Sequence, residues 1–164
     1  MADLFRMAGQ LEDRGILLQA HHCAWPTFWR RGGFLQASEH IAAGLKLHDQ
    51  ERHAHHRNVY LGHDPAVCGL GINASVQDAL GYLDRALRCE GEAIALARRL
   101  AHPPSLAHAL WLACEAGAAR DDAEGILAPA AELLKLSEER GLSQPRASAL
   151  ILLGWALARS GDAA

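Results

Sequence analysis

Aromatic residues make up only 5% of the 164 positions, and β-branched residues are few beside abundant alanine. Half-buried sheets are built from those scarce types, so the composition favours helix over strand. Charge of one sign is never blocked together: sixteen Lys and Arg stand against nineteen Asp and Glu, a formal net charge of −3. Without a basic stripe to track phosphates, no nucleic-acid partner is expected. The longest uncharged apolar run, Ala147 to Ala158, falls short of the roughly 18 residues of a membrane span. The N-terminus lacks a signal-peptide apolar core, so no membrane partner and a cytoplasmic location are expected. Four cysteines, Cys23, Cys68, Cys89 and Cys114, include no Cys-x-x-Cys pair. That excludes a zinc-ribbon signature and suits free intracellular thiols. No phosphate loop and no nucleophile elbow occur, and Glu90, Glu92 and Glu115 lie on separate helical faces without acid/base pairing. The chain is read as not an enzyme and as needing no cofactor.

What the chain has is a period. Pro65, Pro104 and Pro145 stand 39 and 41 residues apart, and sixteen residues on from each lie Gly81, Arg120 and Gly161. Proline suits a first helical turn, where its missing N–H has no partner to lose, and glycine suits the left-handed residue that ends a helix. A repeat near 40 residues is a stacked helix hairpin. The expected fold is therefore all-α, an α-solenoid of about four hairpins with seven or eight antiparallel helices in one domain, 1–164. Its parts are an outgoing helix over 2–14, repeat 1 over 16–48 stopping its first helix at Gly33, a His-rich loop over 49–64, repeat 2 over 65–101, repeat 3 over 104–140, and the first helix of repeat 4 over 144–164. The second helices show a 3.6-residue period, as in Leu83, Ala86, Leu87, Ala93, Ile94, Ala97 and Leu100. Gly125 and Pro129 are expected to kink the second helix of repeat 3. Both ends read as cuts through a longer array, with Asp162, Ala163 and Ala164 standing where another helix would begin. Exposed ends of this kind also lead us to expect a homodimer through them.

The pattern Leu153, Gly154 and Gly161 resembles the first helix of a tetratricopeptide repeat, and Gly81, Ala86 and Ala93 resemble its turn and second helix. Longer stretches add to this: Ala20-His21-His22 with Trp25, Gly44-Leu45 with His48-Asp49 and His53, Gly62-His63-Asp64-Pro65 with Val67-Cys68, Leu100-Ala101-His102-Pro103, and Gly154-Trp155-Ala156-Leu157. Together, from about Leu17 to Gly161, they are similar to the tetratricopeptide-like C-terminal region of large bacterial proteins. Those proteins join a class III adenylate/guanylate cyclase domain, or another output domain, to a signal-transduction AAA-type ATPase. The resemblance implies a regulatory scaffold or sensor that binds a protein partner, a small effector or the attached cyclase and ATPase domains, with catalysis lying outside this segment.

Two sets of residues are candidates for binding. His48, His53, His55, His56 and His63 crowd the connection between Leu47 and Pro65, which is about eight residues too long for the period. With Asp64 and Cys68 they offer metal-ligating chemistry, the candidates being His53, His55, His56, His63, Asp64 and Cys68. The competing reading has these side chains holding the loop and capping the next helix, with Asp64 as the N-cap before Pro65. His21 and His22, adjacent on a helix, face different ways, and one is read as a core or interface histidine. The second set follows from the resemblance, which implies that positions two, five, nine and twelve of each first helix line a concave face. Those positions hold Cys23, Thr27, Arg30, Cys68, Ser75, Asp78, Cys114, Trp155 and Arg159, a groove in which Arg30 and Arg159 would meet carboxylates and Trp155 would anchor apolar groups. The cysteines are read instead as small residues that let helices approach. The leading reading is a non-catalytic scaffold, and the rival is a small metal- or ligand-binding protein or enzyme using segment 48–68.

Overall fold

A computed structural model describes residues 2–161, and every regular element among the described residues is an α-helix. In order these are α1 (Ala2–Gln10), α2 (Arg14–Arg30), α3 (Phe34–Leu47), the single turn α4 (His56–Val59), α5 (Pro65–Ala79), α6 (Leu83–Arg99), α7 (Pro103–Ala119), α8 (Ala123–Arg140) and α9 (Ser143–Ser160). The all-α expectation holds. None of these helices is long and apolar enough to cross a membrane.

The joints carry the period more cleanly than the prolines do. Left-handed backbone occurs at Leu61 (with Gly62 beside it), Gly81, Ala101, Asp121, Gly141 and Gly161, a joint every twenty residues, and upstream at Glu12 and Gly32, again twenty apart. Each lies one or two residues past a helix end, where a left-handed residue turns the chain back. From Gly32 to Leu61 the step is twenty-nine, so nine additional residues sit in the histidine-rich connection.

Several boundaries differ from the sequence reading. Arg14 opens α2 instead of closing α1, because the Asp13 carboxylate accepts the N–H groups of Gly15 at 2.7 Å and Ile16 at 3.1 Å and so caps a new helix. Gly33 is the N-cap of α3 with φ −80°, and the left-handed stop is Gly32. In repeat 3 the stop is Asp121, one residue beyond Arg120. The connection 49–64 is not wholly a loop, since it contains α4. Pro26 lies inside α2 and Pro129 inside α8, and both helices run on through them. Asp162, Ala163 and Ala164 lie outside the described residues.

Caps come from local side chains. Asp64 caps α5 by accepting from Ala66 N–H at 2.9 Å and Val67 N–H at 3.3 Å. His102 Nδ1 accepts from Ser105 N–H at 3.3 Å ahead of α7, and Asp122 from Gly125 N–H at 2.9 Å ahead of α8.

Helices joined by such short turns pack as antiparallel pairs. The principal contacts run α2 with α3, α5 with α6, α7 with α8 and α8 with α9, while α2, α5, α7 and α9 each touch the next in that series. Helix α3 also packs on α5, and α6 on α7. The core is accordingly a run of adjoining clusters. One joins Leu18, Trp25, Ile41, Cys68, Ile72, Val76 and Leu112, and others follow through Leu110, Leu133 and Ala149 and through Cys114, Ile126, Ala130 and Ala156. Trp25 is fully buried and lies so close to α3 that a Cβ on Gly44 would stand 2.5 Å from its Cζ3. Truncating such a side chain to alanine costs about 3–5 kcal/mol.

Candidate functional site

The first helices enclose a groove of about 610 Å³. Trp29, Arg30 and Phe34 form one wall, Ser75, Asp78 and Ala79 of α5 the middle, and Glu115, Ala119 and Leu152 the other side. Its volume is that of a ligand pocket. The Arg30 guanidinium stacks 4.3 Å above the Trp29 ring and reaches Glu115 Oε2 at 3.3 Å. Burial pushes the Glu115 carboxyl up, and Arg30 opposes the shift. Below, Arg120 holds Glu90 at 3.3 Å and approaches Asp78 at 3.9 Å. Ser75 Oγ and one terminal nitrogen of Arg120 are buried without a hydrogen-bond partner.

Of the groove residues expected from sequence, Arg30, Ser75 and Asp78 come together and the others do not. Thr27 is exposed and donates its hydroxyl to the Cys23 carbonyl at 2.7 Å, which spends it on the helix. Trp155 packs into the cluster of Cys114, Ile126, Ala130 and Ala156, and Arg159 pairs with Asp121. Cys68 and Cys114 are buried in the core, and only Cys23 is exposed. The three cysteines therefore do not share a groove face. Glu115, Trp29 and Phe34 were not assigned to the groove from sequence, because they come from three different helices, α7, α2 and α3, that only the fold brings together there.

The second place is a buried histidine cluster, where the enlarged connection folds back on α2. His56 sits against Gly15, at which a Cβ would lie 3.0 Å from His56 Cε1. Gln19 bridges two rings: its amide nitrogen donates to His56 Nδ1 at 2.7 Å, and its oxygen accepts from His22 Nδ1 at 2.9 Å. In this arrangement the His22 lone pair is on Nε2, which faces His63 Nε2 at 3.2 Å. His22, His63 and Cys68 each bring one ligand atom within 4.8 Å of the other two. Trp25 Nε1–H donates to Cys68 Sγ at 3.5 Å. The His63 ring stacks on His108 with centroids 3.8 Å apart and planes 7° from parallel, and His108 Nε2 is buried without a partner. A pocket of about 170 Å³, lined by His63, His108, Trp111, Leu61, Gln144 and Pro145, reaches the pair.

Burial sets the protonation of this cluster. It holds His22 down to about 3 and His63 to about 4, and keeps His108 well below an ordinary imidazole. Burial also pushes the Cys68 thiol up to about 12, against the Trp25 N–H, which favours the thiolate. Asp64, fully buried, would be pushed up by burial, but the neighbouring His48 and the N–H groups of Val67 and Ala66 outweigh it and hold its carboxyl low. His48 Nε2 stands 3.8 Å from Asp64 Oδ2, too far for a hydrogen bond.

The six metal candidates read from sequence are thus divided. His63 and Cys68 meet at one point together with His22. Asp64 is committed to capping α5 and lends only its charge. Buried His53 accepts the Asp49 N–H at 3.0 Å, buried His56 receives the Gln19 amide, and His55 is exposed. His21 points away from His22, toward His40 at 3.0 Å and the Phe5 ring. No local spacing pairs His22 with His63 or His108, since their meeting depends on α2, α5 and α7 lying side by side.

These observations define an all-helical protein whose helices pack in sequence order, with a lined groove and a buried His/Cys cluster. Over 150 residues the chain is 30% identical to an uncharacterized protein of Rhizobium meliloti, an alignment that takes in 92% of this chain and 15% of the relative's length. No family model matches the chain, and no solved structure matches it.

Proposed function

We propose that this chain is a tetratricopeptide-like solenoid module that holds a segment of a partner protein in the groove between its first helices and performs no chemistry of its own. The observation that carries this reading is the groove. Its walls mix an aromatic pair, Trp29 and Phe34, with a charged pair, Arg30 and Glu115, and its floor keeps the unspent Ser75 hydroxyl. An aromatic surface beside a fixed charge pair suits an amphipathic segment laid along the groove. The twenty-residue rhythm of left-handed joints and the contacts between successive first helices support the solenoid reading.

In this reading the module belongs to a larger bacterial signalling protein of the cyclase/ATPase type and passes partner binding to attached domains in the cytoplasm. The similarity to a relative of which it spans 15% of the length supports membership of a larger protein, and the cyclase/ATPase assignment rests on the sequence resemblance alone. The test begins with selection of peptides from a random displayed library on the purified chain, followed by competition among them. A shared motif and mutual competition are expected; selection of unrelated peptides that do not compete would count against a single groove.

A further inference from the structure

We propose that His22, His63 and Cys68 form a binding site for one divalent cation of the zinc class, clasping the enlarged histidine-rich connection onto α2. Two imidazoles and a thiolate are the donor set that thiophilic and borderline cations prefer. The facing Nε2 atoms stand 3.2 Å apart, close to the edge of a tetrahedron with bonds of about 2.0–2.1 Å, which is roughly 3.3 Å. With the His22 proton engaged on Nδ1 by Gln19 Oε1 at 2.9 Å, its Nε2 carries the lone pair and faces His63 Nε2 at the site. That is the outer hydrogen bond which orients a metal-bound imidazole.

Further groups fit. Gln19 is itself fixed by His56 of the additional segment, and the Trp25 N–H donates to Cys68 Sγ at 3.5 Å. The pocket beside His63 brings solvent to one of the three ligands, and His108, whose Nε2 has no partner, lines the same pocket. Binding would release the Cys68 thiol proton to solvent, and the thiolate so formed, with the nearby Asp64 carboxylate, would offset a double positive charge. The nine additional residues between Gly32 and Leu61 would then be tied across the fold at His63 instead of resting on side-chain packing alone. This inference does not rest on the groove reading, and either can fail without the other.

The experiment uses the full chain stripped with chelator and titrated with Co²⁺ alone, then with Zn²⁺. One equivalent of Co²⁺ should give tetrahedral visible bands and a near-ultraviolet thiolate-to-cobalt charge-transfer band, Zn²⁺ should displace it, and one equivalent of Zn²⁺ should raise Tm. Cys68→Ser should abolish the charge-transfer band, and His22→Gln should weaken Co²⁺ binding at least tenfold, in the range seen for loss of a ligand or its support. Cys23→Ser, at the exposed cysteine, should leave both unchanged. If Cys68→Ser does not fold, His63→Gln beside the pocket takes its place, with the same tenfold loss expected. Absence of the charge-transfer band in the wild type, its persistence in Cys68→Ser, undiminished affinity in His63→Gln, or its loss in Cys23→Ser would overturn the proposal.

Discussion

Arg30 and Glu115, 85 positions apart in the chain, meet at 3.3 Å and join α2 to α7 along the groove. The pair is partly solvated, with 56% and 28% of the side chains exposed, so its contribution to folding is at most about 1 kcal/mol. Arg30→Ala should therefore move Tm by no more than about 4 °C, while the Glu115 carboxyl, no longer opposed by the guanidinium, shifts further up in an NMR titration. A large loss of Tm would show that the pair is structural.

Two helical glycines should respond in opposite directions. A Cβ on Gly44 meets the rigid, buried Trp25 ring at 2.5 Å, whereas one on Gly91 in α6 meets nothing within 4 Å. Gly44→Ala should destabilise by about 1–3 kcal/mol through overpacking, and Gly91→Ala should stabilise by up to about 1 kcal/mol through helix propensity. Denaturant midpoints of the two variants give the comparison, and a gain at Gly44 would contradict the close approach of α2 and α3.

The twenty-residue rhythm makes a similar contrast at its joints. Ala101 is left-handed at φ 49° and Gly141, forty residues on, at φ 66°. A β-carbon in that conformation costs about 1 kcal/mol or more, and glycine's larger unfolded-state entropy offsets part of it. Ala101→Gly should thus stabilise by about 0.5 kcal/mol and Gly141→Ala destabilise by about 1 kcal/mol, measured by urea unfolding. Equal and neutral effects would mean that the joints do not hold this backbone in solution.

Those same joints explain what could be read from sequence. Gly81 and Gly161 announce their turns, and with Pro65 and Pro104 they reveal the hairpin length. Ala101 and Asp121 occupy equivalent turns without glycine, and Leu61 does so one residue ahead of Gly62, so the half-repeat of twenty is hidden and the period reads as 39 and 41. Gly32 and Gly33 are adjacent, and only backbone geometry tells which is left-handed. Asp13 could have been read as a cap from its type, but the apolar pattern around Arg14 is too weak to mark a boundary. For the sites, Arg30, Ser75 and Asp78 follow from equivalent positions in the repeat, whereas Glu115 and His22 acquire their roles from contacts between helices distant in sequence. Cys68 and Cys114 stand at positions that the repeat assigns to the groove, yet they turn inward because small apolar thiols are favoured in the core.

Acid should unfold the metal-free protein early. Burial holds His22 at about 3 and His63 at about 4, against about 6.5 in the unfolded chain. The unfolded state therefore binds more protons below pH 6.5, and stability falls as pH drops through that value toward the folded pKa values. Each ring contributes a slope on the order of 1 kcal/mol per pH unit in that window. Urea midpoints between pH 7 and pH 5 in chelator should decline, and His22→Gln should flatten the decline; a flat profile in the wild type would show that the rings are solvated.

The central claim, that the groove between first helices holds a partner segment, is tested most directly by the dissociation constants of selected peptides for three proteins. These are the wild type, Ala79→Trp, which fills the groove from an exposed position, and Lys135→Trp, which adds the same bulk at a side chain 78% exposed on α8. Binding weakened at least tenfold by Ala79→Trp and unchanged by Lys135→Trp is the expected result. Equal affinity for all three proteins, with each still folded by circular dichroism, would contradict the claim.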